Sequence, residues 1–322
     1  MLPLLKITHL TKSFNNNSVL KDIDIEIDSG KIFGIIGSSG SGKTTFLNCL
    51  IGFVTPDDGD VLYKIEKGMS EKYVSIFKNK KEMRHLFGFA AQNPSFYPEL
   101  TVRENITYFG NLYSLSKDAL KANTNTLLYF MDLMSAQHTL AKNLSGGMQR
   151  RLDIACSLIH DPKLLILDEP TADLDPLLRA NIWKLIKQIN KKGTTIVLAS
   201  HHLNEIENIC NRIAILKDGR ILESGTPHEI RARFSNAEEI HIESFPGKYE
   251  NIMKLRNKEA LKYITHAENK GTKLIIYTTR PEKVLPEILN RLEDQKENLI
   301  DLRVNKPTLD EIFVTLAKGD QP

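Results

Sequence analysis

Cysteine is scarce in this 322-residue chain: Cys49, Cys156 and Cys210, an odd number without metal-type spacing. Each falls within an apolar, helix-like pattern, so buried reduced thiols are expected, as in a reducing cytosol, in place of a disulfide framework. Long hydrophobic runs are missing as well. No stretch approaches eighteen apolar residues, so no segment is expected to span a bilayer. The opening "MLPLLKITHL" is too short and too interrupted for a secretory signal, and the chain is expected to be soluble by itself. A dominant charge is absent too: 43 basic against 40 acidic side chains leave only +3, which gives no reason to expect a nucleic-acid or anionic-membrane binder. Nor is there an internal repeat or a low-complexity tract. What remains is a globular composition, 41% hydrophobic and 26% charged, enough for one large domain or two moderate ones.

The patterning changes along the chain. "LLKITHL" (4–10) and "VLKDIDIEI" (19–27) alternate apolar and polar residues, as half-buried antiparallel strands do. "KIFGII" (31–36), "KLLIL" (163–167) and "TTIVLA" (194–199) are instead continuous apolar runs, suited to central strands of a parallel sheet covered on both faces. Helical patterns over 43–51, 117–134, 149–160, 177–190 and 204–210 alternate with them, which predicts an α/β core. "AILKDGRILESG" (214–225) predicts a hairpin turning at Asp218-Gly219. Composition shifts near residue 230, giving expected domains of 1–229 and 230–322. The second has strand-like runs at 238–245, 272–279 and 299–304 and an amphipathic helix over 281–295. A last helix is predicted from Thr308, with Glu311 completing a capping box and Leu309, Ile312, Phe313 and Leu316 on one face. A small α+β domain with its own core is expected there.

The chemistry starts at "GSSGSGKT" (37–44), which fits G-x-x-x-x-G-K-[ST] between an apolar strand and a helix. Gly37, Ser38, Ser39, Gly40, Ser41 and Gly42 would wrap backbone N–H groups around phosphate oxygens at a helix N-terminus, with Thr45 just inside it. Lys43 would reach the outer phosphates, and the Thr44 hydroxyl would ligate Mg²⁺. A glycine-rich linker would not explain Lys43-Thr44 at the helix start. Downstream, "LLILDEP" (164–170) ends an apolar strand in two acids. Adjacent carboxylates there are costly to bury unless a cation is near, and Mg²⁺ supplies one. Asp168 then belongs to the metal shell, and Glu169 is free to orient or deprotonate an attacking water.

With these parts in this order, the chain resembles the ATP-binding cassette (ABC) ATPases over residues 4 to about 228. The resemblance implies an α/β P-loop NTPase core carrying an antiparallel β subdomain and a helical subdomain, with ATP and Mg²⁺ as cofactors. "LSGGMQ" (144–149) matches the family's signature motif and includes Ser145, Gly146, Gly147 and Gln149. Gln92 lies where the family's glutamine senses Mg²⁺ and the attacking water. Asp175, in "ADLD", falls in the dimer-contacting loop, where Asp173 replaces a usually small residue. His201 matches the switch histidine that contacts the γ-phosphate, though its neighbour His202 is the alternative. Phe14 falls where an aromatic stacks on adenine, or it is plain core packing.

The signature motif sets a puzzle of its own. Ser145, Gly146 and Gly147 offer a hydroxyl and bare N–H groups at the positive end of a helix expected to start near Met148. That makes a second anion site in a chain with one phosphate loop. The resemblance implies that its phosphate comes from a second copy docked head-to-tail, so that two ATP molecules are buried in the joint and hydrolysis opens it. It further implies separate multi-span permease subunits and a position on the cytoplasmic face of the cell membrane. "LTVRENI" (100–106), "SHHLNEIENICNRIAIL" (200–216) and "KPTLDEIFVTLA" (306–317) look like the branch that exports drugs, antibiotics, sodium or cell-surface lipids and polysaccharides. A soluble ATP-dependent clamp acting outside transport is the alternative. Phe96, Tyr97 and Pro98 either form a groove for a permease helix or pack a loop. The small C-terminal domain is either a dimer-stabilising tail or a substrate sensor, the former preferred.

Overall fold

The computed structural model describes residues 2–15, 17–67, 70–79, 83–201, 203–234, 238–252 and 262–305. The chain divides into two compact units, Met1–Thr226 and Pro227–Pro322. His202 and the helix expected from Thr308 lie outside the described residues.

In the first unit, the alternating segments form β1 (Leu5–Phe14) and β2 (Asn17–Ile27), paired antiparallel. On β2, Ile23, Ile25 and Ile27 point inward while Asp24 and Glu26 between them stay wet, so period two decides which face is buried. Two further strands, β4 (Asp58–Lys67) and β5 (Ser70–Ser75), complete a sheet ordered β2-β1-β4-β5. Neither was apparent from hydropathy.

The continuous apolar runs form the centre of a second sheet. β3 (Ile32–Ile36), β7 (Leu164–Asp168) and β8 (Thr195–Ser200) are buried at every position. With β6 (Phe87–Ala90), β9 (Arg212–Lys217) and β10 (Arg220–Gly225) the order is β10-β9-β3-β8-β7-β6, parallel except at the β9–β10 edge. β9 and β10 are joined at Asp218 (φ 49°) and Gly219 (φ 80°), the two left-handed residues that a tight hairpin needs. Between β3 and β4 runs α1 (Lys43–Leu50). Phe46 and Leu47 of α1 share one buried cluster with Leu5, Ile7 and Ile23 of the first sheet and with Phe33, Ile166 and Val197 of the second.

Between β6 and β7 the chain makes α2 (Val102–Leu112), α3 (Lys117–Phe130) and α4 (Gly146–Leu158). The Thr101–Glu104 capping box fixes where α2 starts, and the Ser116 side chain caps α3. α3 ends four residues before the expected 134, and α4 begins at Gly146, ahead of Met148, because Ser145 caps it there. α5 (Pro176–Lys191) starts with Asp175 as cap and proline at its first turn. It buries Ile182, Trp183, Leu185, Ile186 and Ile189 along one stripe. α6 (Leu203–Glu207) follows β8 and is shorter than the 204–210 pattern.

The second unit contains α7 (Pro227–Phe234), β11 (Glu238–Phe245), α8 (Tyr249–Ile252), β12 (Ile264–Asn269), β13 (Leu274–Thr278), α9 (Pro281–Asp294) and β14 (Asn298–Asn305). Its antiparallel sheet runs β12-β13-β11-β14. Val284, Ile288 and Leu292 of α9 pack on Ile240, Ile242, Leu274 and Ile276 of the sheet, a core separate from that of the first unit. No helix among the described residues is long and apolar enough to cross a membrane.

Candidate nucleotide site

Four loops leave the carboxyl ends of the adjacent parallel strands β3, β8, β7 and β6, which is where open α/β sheets place their ligand sites. The loop after β3 closes on itself around backbone. Gly42, with φ 106°, caps α1 in a conformation that side-chain-bearing residues rarely adopt. A methyl group on Gly37 would lie 2.5 Å from the Leu216 carbonyl. Lys43 is only 8% exposed. Its Nζ donates to the carbonyls of Gly37 (2.8 Å) and Ser38 (3.1 Å) and stands 3.9 Å from Glu169 Oε1. Burial lowers its pKa, and the neighbouring Glu169 and Asp168 carboxylates oppose that.

The Thr44 hydroxyl donates to Asp168 Oδ2 at 2.8 Å, tying the start of α1 to the end of β7. Asp168 is 2% exposed, and its other oxygen, Oδ1, is buried without a hydrogen-bond partner. Burial raises its pKa, with the Thr44 hydrogen bond pulling the other way. An acceptor buried without a donor, beside a hydroxyl, is a set of oxygens suited to a small hard cation. The residues therefore fit Mg²⁺.

Glu169 takes the unusual backbone angle φ 47°. Its N–H donates to the Ala199 carbonyl at 2.9 Å, and its Oε2 lies 3.0 Å from His201 Nδ1. Left-handed backbone at a residue other than glycine costs on the order of 1 kcal/mol or more and persists only where surroundings enforce it. Here the strain turns the carboxylate toward the phosphate loop and toward the histidine that follows β8.

These groups share one cavity of about 440 Å³. Its walls include Ser39, Gly40, Gly42, Lys43, Thr44 and Thr45 of the loop, together with Gln92, Asp168, Glu169 and His201. Gly37 and Ser38 support it from behind through their bonds to Lys43. The Ser41 hydroxyl is buried without a partner. Phe14 is not among the cavity walls: it sits half-exposed at the end of β1, 5.2 Å beneath Lys12 Nζ, while Val19 lines the cavity.

The signature residues lie outside this cavity. Ser145 caps α4 by accepting from the Met148 N–H, and Gln149 Nε2 donates to the carbonyls of Ala141 and Leu144. Asp175 caps α5, accepting from Leu177 and Leu178 N–H at 3.0 Å each. The two glycines differ. A methyl on Gly147 would meet Leu178 Cδ2 at 2.9 Å, so its own chain crowds that position. Gly146 is exposed, and a methyl there would find only Leu174, at 3.7 Å. Among the described residues, nothing requires glycine at 146.

Three charged residues escaped sequence reasoning. Glu205, on α6, accepts from Trp183 Nε1 (2.6 Å), Arg179 (2.9 Å) and the Thr171 hydroxyl (3.3 Å), linking the helix after His201 to the segment after Glu169. Arg150 and Asp153 of α4 form a buried ion pair at 3.2 Å. No sequence signal marked the pair, since Arg150 stands between Gln149 and Arg151 and only the fold turns it inward. Of the aromatic segment, Phe96 is buried, whereas Tyr97 is exposed and meets Tyr108 edge-on with ring centroids 4.8 Å apart.

Comparison with known proteins identifies the family. Residues 20–172 match the family described as ABC transporter, and residues 225–317 match the C-terminal domain of DrrA1-3-like ATP-binding proteins. The Nod factor export ATP-binding protein I of Rhizobium sp. (strain N33) is 32% identical over 306 residues, 95% of this chain and 94% of that protein. The linearmycin resistance ATP-binding protein LnrL of Bacillus subtilis (strain 168) is 29% identical, over 98% of both chains. Among solved structures, cbiO1 from Clostridium perfringens, described as part of the ABC transporter complex cbiONQ, superposes with a TM-score of 0.64 at 27% identity. That match covers 72% of this chain and 92% of cbiO1.

Proposed function

Because the chain belongs to the ATP-binding subunits of ABC transporters, of the exporter type, and so is an ATPase, we propose that two copies close head-to-tail around two ATP molecules and drive export through separate membrane-spanning subunits. The observation that carries this is the division of anion-binding groups between two places. Lys43, Thr44, Asp168, Glu169 and His201 converge on one cavity. Ser145 and the exposed backbone of Gly146 stand outside it, at the N-terminus of α4, with no phosphate loop of their own chain to serve. A two-fold arrangement brings each signature to the other copy's cavity.

In the closed state the loop N–H groups and Lys43 hold the β- and γ-phosphates. Thr44, Asp168 and Gln92 would hold Mg²⁺, which when bound offsets charge on the phosphate oxygens. Glu169 accepts the proton of the attacking water at a carboxylate oxygen. His201, its Nδ1 against Glu169 Oε2, holds that carboxylate in place and contacts the γ-phosphate. Loss of the γ-phosphate removes what joins the two copies, so hydrolysis opens the clamp. The exposed pair Tyr97 and Tyr108 suits docking of a permease segment, which would place the subunit on the cytoplasmic face of the membrane.

Glu169→Gln tests the assignment. The variant should bind ATP, hydrolyse it about 100-fold or more slowly, and run as a dimer by light scattering with ATP present. It should also capture a multi-span membrane protein in near-equal amount from detergent-solubilised native membranes. Wild-type turnover by the variant would remove Glu169 from the chemistry. Capture of ribosomal proteins in place of a membrane protein would sink the transport role.

A further inference from the structure

We propose that Arg150 is a positioning residue for hydrolysis, carrying the placement of the signature helix into the placement of Glu169 and Gln92 of the same chain. It rests on the roles given above to Glu169 and Gln92.

The side chain is 7% exposed and its guanidinium is used in several directions. NH2 donates to the Asp168 carbonyl at 2.9 Å and Nε to the Pro170 carbonyl at 3.0 Å. Those two carbonyls bracket Glu169, the residue held at φ 47°. NH1 donates to the Ala91 carbonyl at 2.7 Å, immediately before Gln92. One planar group therefore fixes both the strained turn that aims Glu169 and the start of the loop bearing Gln92. The rigid fork of arginine can bridge three carbonyls on different segments, whereas the single ammonium of lysine cannot reproduce that spread.

Asp153 completes the clasp. Its Oδ2 accepts from Arg150 NH1 at 3.2 Å, and its Oδ1 accepts from the N–H and hydroxyl of Ser95 at 2.9 and 2.8 Å. The segment from Ala91 to Ser95 is thus pinned at both ends to α4. Arg150 stands little more than one turn from Ser145, which caps the same helix. When a partner's nucleotide draws on the start of α4, the carbonyls around Glu169 and Gln92 follow the guanidinium. Stability alone does not call for a cation here, since a buried charge is expensive unless its partners are this well arranged.

The test uses the full chain and measures steady-state ATPase together with equilibrium binding of a slowly hydrolysed ATP analogue. Arg150→Lys should lower kcat tenfold or more, because misplacing a catalytic group by about 1 Å has effects up to about 100-fold. KM and analogue affinity should stay within twofold, since Arg150 touches none of the cavity-lining side chains of the phosphate loop. Ser95→Ala, an exposed position, should lower kcat two- to fivefold with the same unchanged KM. A kcat within twofold of wild type for Arg150→Lys overturns the proposal. If Arg150→Lys melts well below wild type or loses nucleotide affinity, Ser95→Ala decides, and an unchanged kcat there overturns it. Failure of the underlying roles is separately visible, as full activity in Glu169→Gln.

Discussion

Gly146→Ala separates what a fold needs from what a docked partner needs. Position 146 opens α4, is exposed, and gives an added methyl nothing nearer than Leu174 at 3.7 Å, ordinary contact. Alanine is favoured over glycine by about 1 kcal/mol within a helix and by less in its first turn. For a folding unit of this size, 1 kcal/mol moves Tm by about 2–4 °C. The variant should therefore melt at the wild-type temperature or roughly 1–3 °C above it. Activity should move the other way. If the partner's γ-phosphate approaches the bare backbone here, the methyl occupies its place, and ATPase should fall by about 100-fold or more, the scale of losing one anion-holding donor. ATP-driven dimerisation in the Glu169→Gln background should be lost, while a single copy still binds ATP. Gly147→Ala is the control: its methyl must push Leu178 aside from 2.9 Å, so this variant should melt below the Gly146 variant. Scanning calorimetry and light scattering read both quantities. A Gly146→Ala protein with normal ATPase and normal dimerisation would refute the idea that anything outside the chain approaches this backbone.

His160 gives the protein an acid limb of its own. Its ring stacks on Tyr113 at 3.6 Å, its Nε2 meets the Phe87 carbonyl at 3.0 Å, and burial lowers its pKa from 6.5 to about 4 against the help of that carbonyl. Between those values the unfolded chain binds the proton and the folded chain does not, so stability is full above about pH 6.5 and falls toward pH 4. The loss is on the order of 3 kcal/mol at most. His160→Phe should flatten that limb, and parallel melting curves for the two proteins from pH 4 to 7 would disprove it. In the second unit, buried Glu297 accepts from the Ser244 hydroxyl and from the N–H groups of Gly247 and Lys248. Glu297→Ala strands all three donors and should cost about 2–4 kcal/mol there. Hydrogen exchange should speed up in β11 and β14 while ATPase stays within twofold, and unchanged protection would show that the carboxylate is dispensable.

What could be read from sequence depended on whether a residue's role was written in its neighbours. The loop 37–44 was legible because phosphate binding needs fixed residue types at fixed spacing, and Asp168-Glu169 because two acids contradict the apolar strand they end. The central strands showed as unbroken apolar runs, buried on both faces. β4, β5 and β12 did not: they alternate weakly, and "ITHAEN" carries almost no apolar signal of its own. Arg150 was invisible for another reason. In sequence it is one of two adjacent arginines on an amphipathic helix, and only the fold shows its neighbour Arg151 reaching outward to Asp132 while Arg150 turns inward to three carbonyls. Gly147 looked like its neighbour Gly146, yet Leu178, thirty-one positions later, gives it a packing reason of its own.

The strand order β3-β8-β7-β6 has a consequence for how this chain can change. Adjacent strands lie about 4.8 Å apart whatever the chain does between them, so the sheet's ruler, and not loop length, sets the distances among Lys43, His201, Glu169 and Gln92. The stretch from 91 to 163, with its three helices, is in that sense a graft inserted between two neighbouring rungs. It could be lengthened, shortened or exchanged for another without moving the rungs. A replacement would have to return what the site takes from this stretch: Gln92, the guanidinium of Arg150, and Ser145 and Gly146 at the start of α4.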